Sequence, residues 1–266
     1  MQISESDARF NVYKHEVNKS LLAARYTGME HATGKYILFL DSDDYLEPDT
    51  CESLKERLEE KPVDVLRFGF QFEPSKKQIL PPDSDDPLKG YMVGDFPPAI
   101  WKNCYSSKVI KMLIERSESF YCNMGEDVCL SGLLFSCADS FDKIDRVFHH
   151  YEIGNGMSST RGALSMEKFH RDMKSIEESA AHLSEFIKKY KPDYSEYASI
   201  AIRTMFRTVM LQNIYFEPDY SKSVRLLNEY DNDKYREYFE YGCNVILSRK
   251  IITDTGVVFP PLDITK

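Results

Sequence analysis

The sequence predicts an α/β protein: a sheet flanked by helices, followed by an all-helical C-terminal extension. Three observations carry that prediction. Residues 36–40 (Tyr-Ile-Leu-Phe-Leu) form a short apolar run that ends on the acidic cluster Asp41, Asp43 and Asp44, as a buried central strand does where it meets solvent. Residues 64–72 (Asp-Val-Leu-Arg-Phe-Gly-Phe-Gln-Phe) give a second strand, separated from the first by a helical stretch. Beyond residue 160, Phe169, Met173, Ile176, Ala180, Leu183, Ile187 and Tyr190 recur at three- and four-residue intervals, the stripe of an amphipathic helix stopped by Pro192.

Composition bounds the function. At 266 residues and 42% hydrophobic content, the chain can bury a real core. The pattern places a main domain at residues 1–160 and a helical extension at 161–266. A formal charge of −9, with no Lys/Arg run, argues against a nucleic-acid partner. Residues 1–9 are polar and do not read as a signal peptide, and no stretch has the length of a transmembrane segment. The six cysteines form no Cys-x-x-Cys pair, so they read as reduced, mostly core residues. The expectation is a cytoplasmic protein, with peripheral attachment at the inner membrane face left open.

Taken in order, residues 10–17 alternate loosely and suggest a short strand. Asn18-Lys19-Ser20 starts a helix over 21–31, and Gly34 is its expected C-terminal cap. The apolar strand and its acidic end follow, then a helix over 47–60 and the second strand. Residues 74–98, with six prolines and the run Asp83-Ser84-Asp85-Asp86, read as loop. Residues 99–117 read as helix, Gly125-Glu126-Asp127 opens a helix over 128–137, and residues 141–151 form the third strand. Gly154 and Gly156 mark a loop. Helical stretches follow the amphipathic helix at 194–216, 221–230 and 234–247.

The acidic cluster is the chemical focus. Open α/β sheets bind ligands at the C-terminal ends of their strands. On an extended chain Asp41 and Asp43 point to one side, and carboxylates so close call for a compensating cation. A hard divalent ion, Mn2+ or Mg2+, suits such oxygen ligands. The plainer alternative is a turn that caps the next helix.

Several segments together resemble the family 2 glycosyltransferases, enzymes of the GT-A fold, over roughly residues 10–160. The stretch from Asn18-Lys19-Ser20-Leu21-Leu22-Ala23-Ala24-Arg25 through Ala32-Thr33-Gly34-Lys35-Tyr36 to Asp41-Ser42-Asp43-Asp44 is similar to the family's run from a nucleotide-contacting arginine to its Asp-x-Asp. Gly125-Glu126-Asp127-Val128 resembles the acidic pair that supplies the base. His149-His150-Tyr151 and Gly156-Met157-Ser158-Ser159 resemble the closing strand and its loop.

The resemblance implies a mixed, Rossmann-like sheet and transfer of a sugar from a nucleotide-sugar donor, such as a UDP-sugar, with inversion. By position, Asp41 and Asp43 bind the metal and the donor's diphosphate, Asp44 lies beside the donor sugar, and Arg25 contacts the nucleotide. Asp127, paired with Glu126, takes the proton from the acceptor hydroxyl. His149 or His150 contacts the metal or diphosphate. The acceptor is a glycan, a lipid-linked sugar or a protein.

Two departures stand out. The family's Trp-Asn-Lys-Leu-Tyr is here Trp101-Lys102-Asn103-Cys104-Tyr105. The relatives' opening strands, at least one βαβ unit of about 30 residues, have no counterpart before Phe10, so the expected GT-A sheet is incomplete. An incomplete sheet leaves an unprotected edge, which predicts pairing with another chain, including a homo-oligomer. The alternative function is accordingly an inactive, truncated transferase serving as an interaction module. Other readings of the motifs fail on residues. A phosphate loop lacks its Ser/Thr at Tyr36, a haloacid-dehalogenase-type site lacks its Thr or Val at Tyr45, and a calcium loop lacks its glycine at Leu46.

Overall fold

A computed structural model describes residues 7–95, 98–152, 165–210, 221, 222, 225 and 228. Helix α1 (Leu21–His31) leads to β1 (Tyr36–Leu38) and β2 (Tyr45–Leu46), then α2 (Thr50–Glu60), β3 (Val65–Glu73) and β4 (Lys77–Ile79). Helix α3 (Pro87–Val93), a 3-10 turn (Ile100–Lys102), β5 (Asn103–Ser106), α4 (Ser107–Arg116), α5 (Glu126–Ser136) and β6 (Phe141–Glu152) follow. The helical extension comprises α6 (Met166–Tyr190), a second 3-10 turn (Pro192–Tyr194) and α7 (Ser195–Met210). The loop read at Gly154 and Gly156 lies outside the described residues, as does nearly all of the two helical stretches after residue 220.

The sheet is mixed, with strand order β1-β5-β3-β6-β2 and β4 paired to the outer half of β3. Strands β3 and β6 are parallel and the other pairs antiparallel. Strand β3 is the centre: it is buried along nearly its whole length, with Leu66, Phe68, Phe70 and Phe72 among its apolar residues and Arg67, Gln71 and Glu73 as its buried polar ones. Leu66 and Phe68 pack on Leu54 and Leu58 of α2, while Val65 joins the large core formed with α1, α4 and α5.

Five expectations need correction. Strand β1 is an edge strand of the described sheet, bonded only to β5 and half-buried; a short apolar run cannot distinguish edge from centre. Residues 10–17 form no strand: Phe10, Val12, Tyr13 and Val17 are exposed, with Tyr13 stacked on His31. Gly34 is not a left-handed cap, since the chain leaves α1 through extended Ala32. Residues 74–98 hold β4 and α3, the latter capped by Asp86, and residues 99–117 split into the 3-10 turn, β5 and α4.

Helix α5 is apolar on nearly every side, so it must be enclosed. It packs against α1, α3, α4 and α6. Phe169, Met173, Ile176, Leu183 and Ile187 of α6 lie in the same core cluster as Leu130 and Leu133 of α5. The helices after residue 160 therefore share their core with the sheet-bearing half. Gly125 sits at a φ of 82°, a left-handed turn that starts α5 without a Cβ penalty. A Cβ there would also meet Met205 Sδ of α7 at 3.2 Å, so the extension buttresses the turn that presents Glu126 and Asp127.

Candidate active site

Three elements converge on one guanidinium. Arg25 lies on the buried face of α1, with its side chain 6% exposed. Its Nη1 donates to Asp127 Oδ1 at 2.7 Å and its Nη2 to Asp41 Oδ1 at 3.2 Å. Glu126 Oε1 lies 3.7 Å from Nη1. The acidic end of β1 and the acidic start of α5 thus share one cleft, although they stand 86 positions apart in the chain. Helix α5 contributes through its N-terminal end, where backbone N–H groups favour carboxylates.

The electrostatics of the cleft are unbalanced. Asp41, Glu126 and Asp127 present three carboxylates to one arginine. Burial pushes Glu126 up to about 7, and neighbouring Asp127 adds to the shift. Burial also raises Asp127, helped by Asp41 and opposed by Arg25. Burial works against the charge on Arg25, yet Asp127, Asp41 and Glu126 outweigh it and raise its pKa. Of the acidic pair, Asp127 is the more open, with its side chain 34% exposed against 13% for Glu126.

Asp41 to Asp44 form a tight turn, closed by the Asp44 N–H donating to Asp41 O at 3.2 Å. The alternation argument for Asp41 and Asp43 fails, because a turn does not alternate as a strand does. Asp44 turns inward: its carboxylate accepts from Glu152 N at 2.9 Å and bonds His149 Nε2 at 2.8 Å, with only 1% of the side chain exposed. It anchors the turn to β6 and is not presented to a ligand. His149 stacks on Trp101 at 4.2 Å, and burial lowers its pKa against the pull of Asp44. His150 Nδ1 bonds Glu73 at 3.0 Å and its Nε2 bonds Glu47 at 2.8 Å. Both ring nitrogens of His150 are thus engaged with carboxylates. In this arrangement both histidines tie β6 to neighbouring carboxylates, and His149 Nδ1 is a buried nitrogen without a partner.

Asp41 and Asp43 remain as hard oxygen donors for Mn2+ or Mg2+. Among the described residues no group of three or more His, Cys, Asp or Glu side chains is arranged to hold a metal unaided. The fit is to an ion held by one or two carboxylates with phosphate oxygens completing its shell, and such an ion would offset the surplus negative charge.

Sequence reasoning missed Lys102. It is 9% exposed and close enough to Asp127 for each to shift the other's pKa. Its signal was the Trp101-Lys102-Asn103 segment, but a helix assignment hid where that segment points.

Comparison with known proteins bears on the family and the fold. Residues 2–97 match the family model described as Glycosyl transferase family 2. EpsH of Bacillus subtilis, named as a glycosyltransferase, is 31% identical over 119 residues, covering 41% of this chain and 34% of that protein. The glycosyltransferase GlyA of Streptococcus pneumoniae is 39% identical over 64 residues, covering 24% of this chain and 9% of that one. The chain thus spans about a third or less of the length of these relatives. In fold it is similar to S. aureus TarS residues 1–349 crystallised with UDP-GlcNAc. The TM-score is 0.51 at 16% identity, over 97% of this chain and 80% of that one.

Proposed function

We propose that this chain, a member of glycosyl transferase family 2 with a GT-A-like fold, moves a sugar from a nucleotide-sugar donor to an acceptor hydroxyl by metal-dependent, inverting displacement. The observation that carries the reading is the single Arg25 guanidinium bonded to both Asp41 and Asp127. It joins the carboxylate that this reading assigns to the diphosphate side with the one it assigns to the base. A UDP-sugar is the first donor to try, since the structurally similar TarS was crystallised with UDP-GlcNAc.

Each residue then has a task. Asp41 and Asp43 hold Mn2+ or Mg2+, which when bound supplies Lewis acidity to the departing diphosphate. Arg25 opposes the burial that favours a proton on Asp127. Asp127 accepts the proton of the attacking hydroxyl, and a pKa raised by burial makes it a stronger base than an exposed aspartate. Glu126, 3.7 Å from Arg25, shares the guanidinium and tunes that balance. Asp44 and His149 fix the turn through β6. Attack on the face opposite the leaving diphosphate inverts the anomeric carbon.

Release of nucleoside diphosphate from a panel of nucleotide-sugars, with Mn2+ and with glycan, lipid-linked and peptide acceptors, tests the reading. Release that depends on acceptor and disappears in Asp127→Asn is expected. Turnover unaffected by that change would remove Asp127 from the role.

The non-catalytic reading is favoured by a different observation: β1 has a bonded partner on only one side among the described residues. An open edge can accept a strand from a second copy. A dimer lost when Ile37 is changed to Pro is the outcome that reading requires.

A further inference from the structure

Among the described residues, two that are not glycine adopt a positive φ, Lys76 and Ser20. Lys76 lies in the exposed turn between β3 and β4. Ser20 is buried and more unusual: at φ 82° and ψ 166° it occupies a region that only glycine adopts freely. Glycine would sit there without strain, so what serine adds is its hydroxyl.

That hydroxyl does not do the work expected of it. Ser20 stands at the N-terminus of α1, where a serine ordinarily caps the first turn, yet its side chain makes no capping bond. Its Oγ instead accepts from Cys122 N at 3.0 Å, a buried bond across 102 positions that gives a buried N–H its acceptor. The backbone of Ser20 is fixed as well. Its N–H donates to Asn18 Oδ1 at 2.8 Å, and its carbonyl accepts from Ala24 N at 3.2 Å.

The bond to Cys122 runs beside the catalytic pair. Arg25 bonds Asp127 across the same 102 positions, so Ser20–Cys122 and Arg25–Asp127 are two rungs between the same two segments. Tyr26 Oη donates to Ser117 Oγ at 3.2 Å, a further tie on the other side of Arg25. The opposite side of segment 117–125 is held by α6. Asn123 N donates to Ser175 Oγ at 3.3 Å, and Cys122 Sγ lies 3.0 Å from Ser179 Oγ. The segment is thus clamped between α1 and α6 just before the Gly125 turn that starts α5.

We propose that Ser20 is a positioning residue for the base: its hydroxyl clamps Cys122 to the start of α1 and so sets how Arg25 meets Asp127. The inference rests on Asp127 as the base, and it adds the residue that holds that base against its arginine.

Ser20→Gly and Ser20→Ala both delete the hydroxyl. Ser20→Gly also removes the strain, so it folds even where Ser20→Ala does not. The readout is the titration midpoint of the Asp127 carboxyl in the full chain, by carbon-13 NMR, with the signal assigned through Asp127→Asn. Arg25 opposes protonation of Asp127, so a loosened rung should raise that midpoint by about half a unit. Ser106→Ala removes a hydroxyl bond of the same kind at the start of α4 and should leave the midpoint in place. In the transfer assay, Ser20→Gly should lower kcat about tenfold with the donor KM unchanged. An unmoved midpoint in Ser20→Gly, an equal shift in Ser106→Ala, or an unchanged kcat in an active chain overturns the proposal. No turnover in the parent would end the proposed reaction, yet the midpoint would still decide whether Ser20 sets the bond between Arg25 and Asp127.

Discussion

Arg25 carries more of the site than any other side chain. Removing it leaves Asp41, Glu126 and Asp127 without the cation that bridges them, with Lys102 acting on Asp127 alone of the three. Loss of one partner from a buried ionic cluster costs about 3–5 kcal/mol, so Arg25→Met should lower unfolding free energy by about 3 kcal/mol in urea titrations. Arg25→Lys should recover little, because one ammonium cannot bridge two carboxylates as the guanidinium fork does. Glu126 makes the opposite kind of prediction. Its folded pKa is raised from 4.5 to about 7, chiefly by burial and then by Asp127. The folded state holds that proton more tightly than the unfolded state, so this contribution to stability is present below about 4.5 and lost as pH rises through about 7. Glu126→Gln should therefore gain stability relative to the parent as pH rises across that window. A difference that shrinks with pH would show the carboxyl to be ionised by its surroundings. These residues were legible because Asp-x-Asp and Glu-Asp stand at strand and helix ends. That one arginine joins them was not, since hydrogen bonding across 102 positions leaves no local trace.

At the scale of elements, long and strongly patterned segments read correctly and short ones did not. Helix α1 was placed at residues 21–31, as found, and β6 and α6 were legible for the same reason. Strand β5 is four residues long and β4 three, too few to show a period, and Ile100 and Trp101 lent their segment a helical look. Strand β3 hides a further feature. Its register with β6 shifts on both sides of Gly69, and a Cβ there would meet Arg146 O and Ile79 O, both at 3.0 Å. Two backbone carbonyls cannot retreat as a side chain can, so Gly69→Ala should cost about 1–3 kcal/mol. The turn before β2 depends on β6 in another way. His149→Phe keeps a ring against Trp101 but removes the bond to the buried Asp44 carboxylate, a loss of about 1–3 kcal/mol. It should also weaken Mn2+ binding, because Asp41 and Asp43 ride on that turn. Unchanged metal affinity would separate the anchor from the site.

For the molecule as a whole, the two halves read from the sequence share one core. Gly125, which starts the helix of the base, lies against Met205, Ile176 and Ser179 of the extension. A chain ending at residue 160 would expose the apolar surface of α5, and it should lose cooperative unfolding or aggregate. Among the described residues no helix is long and apolar enough to cross a membrane. The whole arrangement then serves one end: a cleft with surplus negative charge at the tips of β1 and α5. Calorimetry of UDP-sugars against the full chain, with and without Mn2+, interrogates that cleft most directly. Binding should require Mn2+ and weaken at least tenfold in Asp41→Asn, while Asp127→Asn still binds donor. Nucleotide-sugar binding that ignores both the metal and Asp41, or no binding under any condition, would contradict it.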